Sequence, residues 1–483
     1  MKDKAYILMS AMPTPNGHIH LGHIGAQFLP MDVLKRHYHR KGLKAVTVNG
    51  FDVFDNSVLF SAQQENRDAV ETVDEYVNAI KGDLEYLDIF QDCIINYLDD
   101  DHKQGFTDVV NEVDGLLAEY KVDVTAQFPF TVEQNIPVSG KWLNGICGYC
   151  GSKVSSFSCD ACSRVLDAVH IKSPYCLTGE AMKWHQVPKE DLTISWASLT
   201  KYYAKLSIPE TLSYLTEANQ AEETFTIPWT TYDRWGISCG DNSKVFMHSN
   251  FTFIEQIYLG EKIKQQLGLA LNPFDADSDT VNIFAYGKDN AGLLLRNIPA
   301  LALATNKYRS FDHHHISHFF TLEGEKISTS RKHAIWVNDL KQDERFCVDA
   351  VRGYICKKYN LYQNTDISML ELHQYQQDFN QLHYQTVEQQ LARISSLEGI
   401  FDEQLFNQLL EKQELALNYQ QLDLTTVIEC IEQWCHYAQS DATSINGVKW
   451  LKGYLILAAP VFTQLASKID YCINEYSAPL SVN

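Results

Sequence analysis

The sequence has no apolar run that approaches the ~20 consecutive residues needed to span a bilayer. The first ten residues, Met1–Ser10, contain only a short apolar stretch and lack the layout of a secretory signal peptide. Positive charge is also scarce, because 40 Lys and Arg oppose 61 Asp and Glu, giving a formal net charge of −21. Surfaces that bind nucleic acid are positively charged, so an RNA partner would require basic side chains concentrated on one face. We therefore expect a cytoplasmic protein with no membrane partner and no DNA partner.

The composition is otherwise that of an ordinary globular protein. Of the 483 residues, 45% are hydrophobic and 21% are charged, so intrinsic disorder is not indicated. The length predicts roughly two to four structural units, with ample chain for large buried cores.

Four of the twelve cysteines follow the spacing of a metal site. Cys147 and Cys150 form one CxxC pair, and Cys159 and Cys162 form a second pair after a gap of eight residues. Two such pairs supply four thiolates for a tetrahedral Zn²⁺ ion, and this closed set leaves no coordination position for catalysis. We predict a structural zinc knuckle, because a cytosolic chain disfavours the rival interpretations of a redox pair or disulfides. The remaining cysteines are expected to be small buried side chains: Cys93, Cys176, Cys239, Cys347, Cys356, Cys430, Cys435 and Cys472.

The N-terminal segment predicts a βαβ unit. Tyr6–Ser10 is a short apolar strand, the turn-forming residues Ala11–Gly17 follow, and an apolar pattern at helical spacing runs from about Leu21 to Arg40. A second predicted strand, Ala45–Asn49, ends at Gly50-Phe51-Asp52. Strand, helix and strand with short connections indicate a parallel sheet, whose ligands bind at the carboxyl ends of the strands.

The motif His20-Leu21-Gly22-His23 opens the first predicted helix. A helix N-terminus presents unsatisfied N–H groups and a partial positive charge, which suit a phosphate group. Gly22 permits close approach to the backbone, and the two histidines share one helical face from which both can donate to phosphate oxygens.

A second motif, Lys326-Ile327-Ser328-Thr329-Ser330, lies about 300 residues further along. It follows Glu323-Gly324-Glu325, which we predict to be a flexible loop after an apolar strand at Ile316–Leu322. A lysine on a mobile loop can neutralise the charge that develops as pyrophosphate leaves. The order and separation of the two motifs resemble the HIGH and KMSKS signatures of class I aminoacyl-tRNA synthetases.

The resemblance is to the methionyl-tRNA synthetase family in particular. Other segments similar to that family are Ala11–Gly17, Asn49–Asp52, Gly287–Asn290 with Pro299-Ala300, and Lys326–Arg331 with Ala334–Val337. The resemblance implies an α/β fold with a class I Rossmann-like (HUP-type) parallel sheet, a zinc-knuckle insertion and a C-terminal α-helical bundle.

The resemblance and the pattern of elements together predict four regions. They are residues 1–110 and 241–338 as the two halves of the catalytic domain, 111–240 as a connective insertion with the knuckle at about 140–170, and 339–483 as the bundle. The second half of the catalytic domain begins its βα pattern near Val281–Gly287.

The resemblance also implies roles for individual residues. The catalytic residues would be His20, His23 and Lys326. The ATP-binding residues would be Gly22, Gly287, Asp289, Ser328 and Ser330. The residues that bind the amino acid would be Met12, Asp52, Ser249, Thr252 and Leu294, with Asp52 on the α-amino group. The implied cofactors are ATP, Mg²⁺ and structural Zn²⁺, and the implied partners are an amino acid and tRNA.

The sequence departs from the family where the methionine side chain would bind. Ser249 takes the place of a tryptophan, Thr252-Phe253 that of alanine-proline, and Gln256 that of a tyrosine. Thr14 stands where a tyrosine is usual, and Leu294 where a histidine is expected. Because the lining of such a pocket decides specificity, we predict a substrate more polar than methionine or of different size. His248, Asn250 and Glu255 add polarity to the same segment.

The C-terminal region departs from the family in its charge. From residue 401 onward it has four lysines, no arginine and ten Asp or Glu. The nearest matches to the anticodon-reading residues are Gln389 and Arg393, and Trp434 is a candidate for the later tryptophan. Since arginine supplies most bidentate contacts to bases and phosphates, this region is poorly suited to bind tRNA.

The sequence thus predicts an enzyme that forms an aminoacyl-adenylate from ATP. Transfer of the acyl group to tRNA would follow. The alternatives are a genuine methionine–tRNA ligase, a biosynthetic paralogue with a non-tRNA acceptor, and a catalytically silent binding or regulatory protein. The presence of His20, His23, Asp52 and Lys326 argues against the silent alternative.

Overall fold

The structure is a computed structural model that describes residues 4–155, 158–159, 161–162, 164–206, 223–240, 243–327, 333–395, 398–440 and 444–477. The strands are β1 Ala5–Ser10, β2 Lys44–Gly50, β3 Cys93–Ile95, β4 Lys121–Thr131, β5 Leu143–Cys147, β6 Lys153–Val154, β7 Ile171–Cys176, β8 Met182–Ser195, β9 Thr224–Pro228, β10 Thr230–Tyr232, β11 Lys244–Phe246, β12 Val281–Gly287, β13 His313–Ser317, β14 Phe320–Leu322, β15 Glu325–Lys326 and β16 Thr365–Ile367. The α-helices are α1 Leu21–His23, α2 Leu29–Arg40, α3 Asn56–Glu65, α4 Ala69–Tyr86, α5 Asp100–Leu116, α6 Trp196–Tyr203, α7 Phe251–Leu267, α8 Lys288–Thr305, α9 Val337–Lys341, α10 Val348–Lys358, α11 Met369–Phe379, α12 Gln385–Leu391, α13 Glu403–Ala416, α14 Leu424–Ser440, α15 Gly447–Ala458 and α16 Thr463–Ser477.

A five-stranded parallel sheet in the order β13-β12-β1-β2-β3 forms the centre of the molecule. All six residues of β1 are buried, as expected for a parallel strand covered on both faces. Helices α2, α7 and α8 pack against the sheet. Strand β1 has β2 on one side and β12, which comes much later in the chain, on the other. This reversal of strand order creates a crevice at the carboxyl ends of the strands.

The first helical segment is continuous from α1 into α2 through a π-helical turn at Ile24–Phe28. This agrees with the helix predicted from about Leu21 to Arg40. The wider π turn places Ile24 and Phe28 in the core and brings Gln27 beneath the site, where its amide donates to the Ala11 carbonyl at 3.0 Å.

The connective part of the chain folds mainly as β structure. Strands β4, β8 and β9 form an antiparallel sheet, and β5, β6 and β7 form a smaller sheet that carries Cys147. Gly140 allows this unit to approach α3 closely. Its φ is +48°, and a Cβ there would lie 2.2 Å from the Asn56 side chain. Asn56 accepts a hydrogen bond from the Lys141 amide at 3.2 Å, which fixes Lys141 at the edge of the crevice.

The apolar stretch Ile316–Leu322 was predicted as one strand, and the structure divides it. Strand β13 ends at Ser317 and β14 begins at Phe320. The two strands belong to different sheets, because β13 pairs with β12 whereas β14 pairs with β15 and β16. The residues between them, His318 and Phe319, are thereby turned into the crevice.

The C-terminal helices are tied to the parallel-sheet domain through Arg352 on α10. This side chain is fully buried and donates to Asp32 on α2 at 2.7 Å. It also donates to the backbone carbonyls of Leu87 at 2.9 Å, Val461 at 2.7 Å and Pro460 at 3.2 Å. Strand β16, from the same part of the chain, pairs in parallel with β14. The two parts therefore share both a buried ion pair and a sheet.

The predicted fold class is confirmed: an α/β protein with a Rossmann-like parallel sheet, a four-cysteine insertion and C-terminal helices. Within the described part of the chain, no helix combines the length and the apolar character that a membrane span requires.

Candidate active site

A cleft of about 370 Å³ lies at the carboxyl ends of β1, β12 and β13. Its walls include the catalytic residues predicted from the sequence, together with the described residues predicted to bind ATP. These lining residues are His20, Gly22, His23, Gly287, Asp289 and Lys326. The sheet topology thus brings two motifs about 300 residues apart in sequence into one site.

The backbone joins the two halves of the cleft directly. His20 forms an antiparallel bridge with Trp336. The Leu21 amide donates to the Ile335 carbonyl at 3.0 Å, and the Val337 amide donates to the Ile19 carbonyl at 3.1 Å. The segment downstream of the second motif is therefore held against the start of the first helix, which fixes the separation of the two motifs.

The two histidines of the first motif form a stacked pair. Their ring centroids lie 3.8 Å apart with an interplanar angle of 21°. The His20 backbone N–H donates to Nδ1 of His23 at 3.3 Å, so the His23 proton resides on Nε2 and remains available to donate. Burial lowers the pKa of His23 to about 4, and burial together with His23 holds the pKa of His20 well below its usual value. Both rings are accordingly neutral hydrogen-bond donors at neutral pH.

Gly22 is required by the packing of this motif. A Cβ at this position would lie 2.9 Å from Nδ1 of His20 and 3.3 Å from Cδ1 of Ile327. Because such distances are shorter than ordinary contacts, any side chain at residue 22 would displace the His20 ring or the Ile327 side chain. Gly22 thus lets the first motif and the second motif approach each other.

Lys326 lies on β15 rather than in a flexible loop. Glu323 and Gly324 form the turn of the β14–β15 hairpin, both with positive φ, and Lys326 pairs with Thr321. Its ammonium group lies 5.2 Å from the centre of the Phe319 ring, at the lip of the cleft. The predicted ATP-binding residues Ser328 and Ser330, and Thr329 between them, lie outside the described residues.

Lys288 is a basic residue of this region that the sequence did not single out. Its ammonium group lies 4.4 Å from the centre of the Phe319 ring and 3.4 Å from Nδ1 of His318. The ammonium groups of Lys288 and Lys326 therefore both lie close to the Phe319 ring, which lines the cleft. Such an arrangement concentrates positive charge where a polyphosphate chain could be bound. The sequence alone gave little indication of a role for Lys288, because it appears only as one residue of the segment Gly287–Asn290.

Helix α8 begins at the cleft, with Gly287 as its N-cap and Asp289 in its first turn. A Cβ on Gly287 would lie 2.6 Å from a carboxylate oxygen of Asp289, so the glycine lets this carboxylate fold back over the helix start. The arrangement presents a carboxylate beside the unsatisfied amides of the helix, which suits a ligand that carries both hydroxyl and phosphate groups.

A smaller pocket of about 130 Å³ adjoins the cleft. All of the residues predicted to bind the amino acid line it: Met12, Asp52, Ser249, Thr252 and Leu294. The pocket and the cleft share Ala11, Met12, Asp55 and Asn290 in their walls, so they form one continuous site. The Asp52 backbone amide donates to the Pro13 carbonyl at 3.1 Å, which holds this carboxylate beside the opening loop.

The electrostatics of the small pocket are dominated by carboxylates. Asp52, Asp55 and His248 each place one polar atom within 4.8 Å of the others, and His248 Nε2 lies 3.7 Å from Oδ2 of Asp55. Burial raises the pKa of Asp52 to about 7, with Asp55 raising it further and His248 opposing the shift. One oxygen of Asp52 is buried without a hydrogen-bond partner among the described residues. The group is placed to bind a cationic ligand group.

Several polar residues near this pocket were noted in the sequence but have other partners. The Asn250 amide donates to the Pro228 carbonyl at 2.8 Å and accepts from Asn297 at 2.9 Å. The Gln256 amide donates to the Arg309 carbonyl at 2.9 Å. Of the polar residues flagged in this segment, His248 lines the pocket, whereas Asn250 and Gln256 fix α7 to its neighbours.

The four cysteines predicted to bind zinc lie together. Their sulfur atoms are all within 4.8 Å of one another, with Cys147 and Cys162 at 3.9 Å and Cys150 and Cys159 at 3.5 Å. Hydrogen bonding from Ser152 lowers the pKa of Cys150 to about 6, whereas burial raises the pKa values of Cys159 and Cys162, so it is the spacing and grouping of the four sulfur atoms that indicate a metal site. The donor set and spacing fit a tetrahedral Zn²⁺ ion.

The knuckle also contributes to the amino-acid pocket. Ser158 and Val165, which pair with each other on either side of Cys159 and Cys162, line the small pocket. The cysteine cluster therefore supports one wall of the pocket. No feature of the sequence alone could show this, because it depends on how the insertion folds back over the sheet.

Several known proteins are similar to this chain. Residues 6–393 match the family model described as tRNA synthetases class I (M). The chain belongs to this family. Similar relatives include the methionine–tRNA ligase of Methanococcus aeolicus, 24% identical over 76% of this chain and 55% of that protein. Others are the methionine–tRNA ligase of Methanopyrus kandleri, 26% identical over 75% and 55%, and methionine–tRNA ligase 1 of Alkaliphilus oremlandii, 26% identical over 75% and 67%.

The predicted family is thereby confirmed. The chain spans about half the length of the first two of these relatives. A solved structure of Mycobacterium tuberculosis methionyl-tRNA synthetase bound by methionyl-adenylate is similar in fold, with a TM-score of 0.72 at 14% identity. The superposition covers 97% of this chain and 93% of that one, so the class I synthetase fold includes the C-terminal helices.

Within this family fold, Trp434 has a structural position. It is fully buried on α14, its indole N–H donates to the Trp450 carbonyl at 3.1 Å, and Trp450 returns the same bond at 3.0 Å. A ring held in this way cannot stack on a base. Gln389 is exposed and Arg393 is half-buried on the neighbouring segment. The candidate tryptophan is therefore a core residue of the bundle.

Proposed function

We propose that this protein activates the carboxylate of an amino acid with ATP, forming an aminoacyl-adenylate and releasing pyrophosphate. The main support for the proposal is that the cleft and the small pocket, which have different linings, form one continuous site. A cleft lined by paired neutral histidines and lysines opens into a small pocket lined by Asp52. The first compartment suits a polyphosphate and the second suits an ammonium group, which are the two ends that this reaction must hold.

The reaction follows from that arrangement. A carboxylate oxygen of the amino acid attacks the α-phosphorus of ATP, the bond from that phosphorus to the oxygen bridging the α- and β-phosphates breaks, and this oxygen leaves with pyrophosphate. His20 and His23 donate hydrogen bonds to the phosphate oxygens as charge develops, and Lys326 stabilises the leaving pyrophosphate. Asp52 holds the α-ammonium group in position. No covalent enzyme intermediate is needed, because positioning and electrostatic stabilisation suffice.

The ATP contacts are also part of the proposal. Asp289, at the start of α8, would bind the ribose, with Gly22 and Gly287 giving the nucleotide access to backbone amides, and Ser328 and Ser330 contacting phosphate. Asp55 and Asp289 line the cleft, and carboxylates of this kind hold Mg²⁺ together with phosphate oxygens. When bound, Mg²⁺ neutralises phosphate charge. Zn²⁺ would be structural in the knuckle.

We further propose tRNA as the acceptor in a second step, as the names of the relatives suggest. Two observations support the alternative of a non-tRNA acceptor: Trp434 is buried in the bundle, and the region from residue 401 contains no arginine. The proposal includes a cytoplasmic location and the division of the chain near residues 110, 240 and 338. Residues 111–240 would then be the connective insertion.

The amino acid is proposed to differ from methionine. His248, Ser249 and Thr252 line the small pocket, and each brings a polar side-chain atom where a thioether would favour apolar contacts. Genuine methionine–tRNA ligase activity remains the second candidate, because the similar relatives carry that name. A silent binding protein is the third.

ATP–pyrophosphate exchange across a panel of amino acids, with and without total tRNA, distinguishes these three candidate functions. Exchange with at least one amino acid supports adenylate formation, and methionine as the sole substrate would refute the claim about the pocket. No exchange with any amino acid would favour the silent protein. Acid-gel detection of charged tRNA then distinguishes tRNA from another acceptor.

A further inference from the structure

Glu255 is a buried carboxyl group that no step of the proposed reaction uses. It lies on α7, is 0% exposed, and neither carboxylate oxygen has a hydrogen bond of good geometry among the described residues. Leaving a buried polar group without a partner costs about 1–3 kcal/mol, and more for a charged group. A carboxyl group in such a position therefore destabilises the folded protein unless a ligand supplies a hydrogen-bond or charge partner.

The position of Glu255 relates it to the amino-acid pocket. It is one helical turn beyond Thr252, about 4.5 Å further along α7, and Thr252 lines the pocket. Ser249 and Thr252 line the pocket with small hydroxyl side chains rather than with rings. Glu255 is not itself a lining residue, but it lies near Asp52, which lines the pocket.

The groups around Glu255 come from the carboxyl end of β2 and from the residues just after β3. The Tyr97 hydroxyl and the Gly50 amide lie close enough to lower its pKa, but burial and the nearby Asp52 raise that pKa well above its usual value. The Tyr97 hydroxyl is itself buried without a partner. The carboxyl groups of Glu255 and Asp52 therefore lie near each other, with the Tyr97 hydroxyl beside Glu255.

Acidic side chains outnumber basic side chains around the pocket. Asp52 and Asp55 line it, Glu255 lies behind it, and none of the described lining residues is Lys or Arg. His248 faces Asp55 at 3.7 Å, and Asp55 also caps α3 by accepting from the Ser57 amide. The α-ammonium group of an amino acid would pair with Asp52. One carboxyl group, that of Glu255, is then left for a second positive charge.

We infer that Glu255 determines specificity by binding the positively charged side chain of a basic amino acid. This inference rests on the proposed adenylate-forming function and names its substrate class. An alkyl chain would extend from the α-carbon past Ser249 and Thr252, and its terminal ammonium or guanidinium group would pair with Glu255. An apolar end group would not bind there. Asp52 would thus bind the α-ammonium group and Glu255 the side-chain cation of the same substrate.

Matched ligand pairs test the inference most directly. Pyrophosphate exchange and isothermal titration calorimetry are run with lysine against norleucine and with ornithine against norvaline, and with arginine and methionine as further probes. Each pair has a similar alkyl chain and differs in the side-chain charge. We expect exchange and binding with one or more basic members and at least about 10²-fold weaker use of the neutral partner.

The variant Glu255→Gln keeps the shape of the side chain but cannot ionise to pair with a bound cation. We expect kcat/KM for the basic amino acid to fall by about 10²-fold while KM for ATP is unchanged. Glu261→Gln, the same substitution two turns along α7 at a half-exposed position, is the matched control and should behave as the unmodified protein. The folded state should be no less stable in Glu255→Gln, because the substitution removes an unpaired buried carboxyl group.

The outcomes separate this inference from the proposed function. Exchange with methionine or norleucine but with no basic amino acid overturns the inference and leaves adenylate formation intact. Exchange with no amino acid overturns adenylate formation, and calorimetry then decides the inference. Binding of a basic amino acid that Glu255→Gln abolishes supports it, whereas no binding, or binding that survives Glu255→Gln, refutes it.

Discussion

The ionisation of Asp52 makes substrate binding sensitive to pH near neutrality. Burial raises the pKa of this carboxyl group to about 7, and the titratable groups that face it are Asp55, His248 and Glu255. Only the ionised form attracts an ammonium group. With this pKa, about one tenth of the empty protein is ionised at about pH 6 and about nine tenths at about pH 8. We therefore expect kcat/KM for the amino acid to fall about tenfold from about pH 8 to about pH 6.

The direction of the pH effect shows whether kcat/KM falls through loss of substrate binding or through unfolding. A carboxyl group whose pKa is higher in the folded than in the unfolded state stabilises the fold most at low pH, and this contribution is lost as pH rises towards 7. Titration of Asp52 therefore does not destabilise the fold as pH falls from 8 to 6. The histidines of the first motif do not account for the change either, because burial lowers the pKa of His23 to about 4 and that of His20 well below its usual value.

The assay is pyrophosphate exchange at saturating ATP, with kcat/KM measured for the amino acid that supports the reaction. Asp52→Asn cannot ionise, so its kcat/KM should be low and should change little with pH. The kcat/KM for ATP at saturating amino acid serves as the control and should lack the tenfold fall. A flat profile for the unmodified protein would refute this reasoning, as would the same slope in Asp52→Asn.

Three other predictions concern the reaction, the knuckle and the fold. Replacing His23 or Lys326 by Ala should lower kcat for exchange by about 10²-fold with little change in KM for the amino acid, and an unchanged kcat would exclude these groups from the chemical step. Cys147→Ser should reduce bound zinc, measured by elemental analysis, and raise KM for the amino acid, because the knuckle supports the pocket wall; unchanged zinc content would contradict the site. Arg352→Ala should lower the free energy of unfolding by about 3–5 kcal/mol in urea titration, since Asp32 is left buried. The lower end is expected because Arg36 still donates to Asp32 at 2.8 Å, and a change below ~1 kcal/mol would show that the buried pair is not stabilising.

The parallel sheet could be predicted from local sequence because its strands carry their own signal. Tyr6–Ser10 is continuously apolar and is followed at once by turn-forming residues, and the observed strand begins one residue earlier. The stretch Ile316–Leu322 has an equally apolar character, yet it forms parts of two strands. Its division depends on β16, a partner that lies more than forty residues further along the chain. Apolar character predicts burial, whereas strand pairing is decided by the tertiary fold.

The candidate site shows the same division between local and distant information. His20, His23 and Lys326 could be singled out because residue type, spacing and position after predicted strands all suggested phosphate chemistry. Glu255 was noted only as one polar residue in a diverged segment. Its complete burial and its position behind Thr252 follow from how α7 packs against β2, which no local pattern expresses. Trp434 illustrates the converse, since a suitable residue type at a suitable place proved to be core.

The shared sheet and the buried Arg352–Asp32 pair constrain how this protein could have diverged from its relatives. A chain shortened before residue 348 would leave Asp32 with one cationic partner and expose the edge of β14 that β16 covers. The inner face of the helical bundle is therefore part of the folding unit that holds Lys326 in place. The outer, exposed face of the bundle takes no part in the Arg352–Asp32 pair or in the shared sheet. Substitutions on that outer face would therefore leave the attachment of the bundle to the parallel-sheet domain intact.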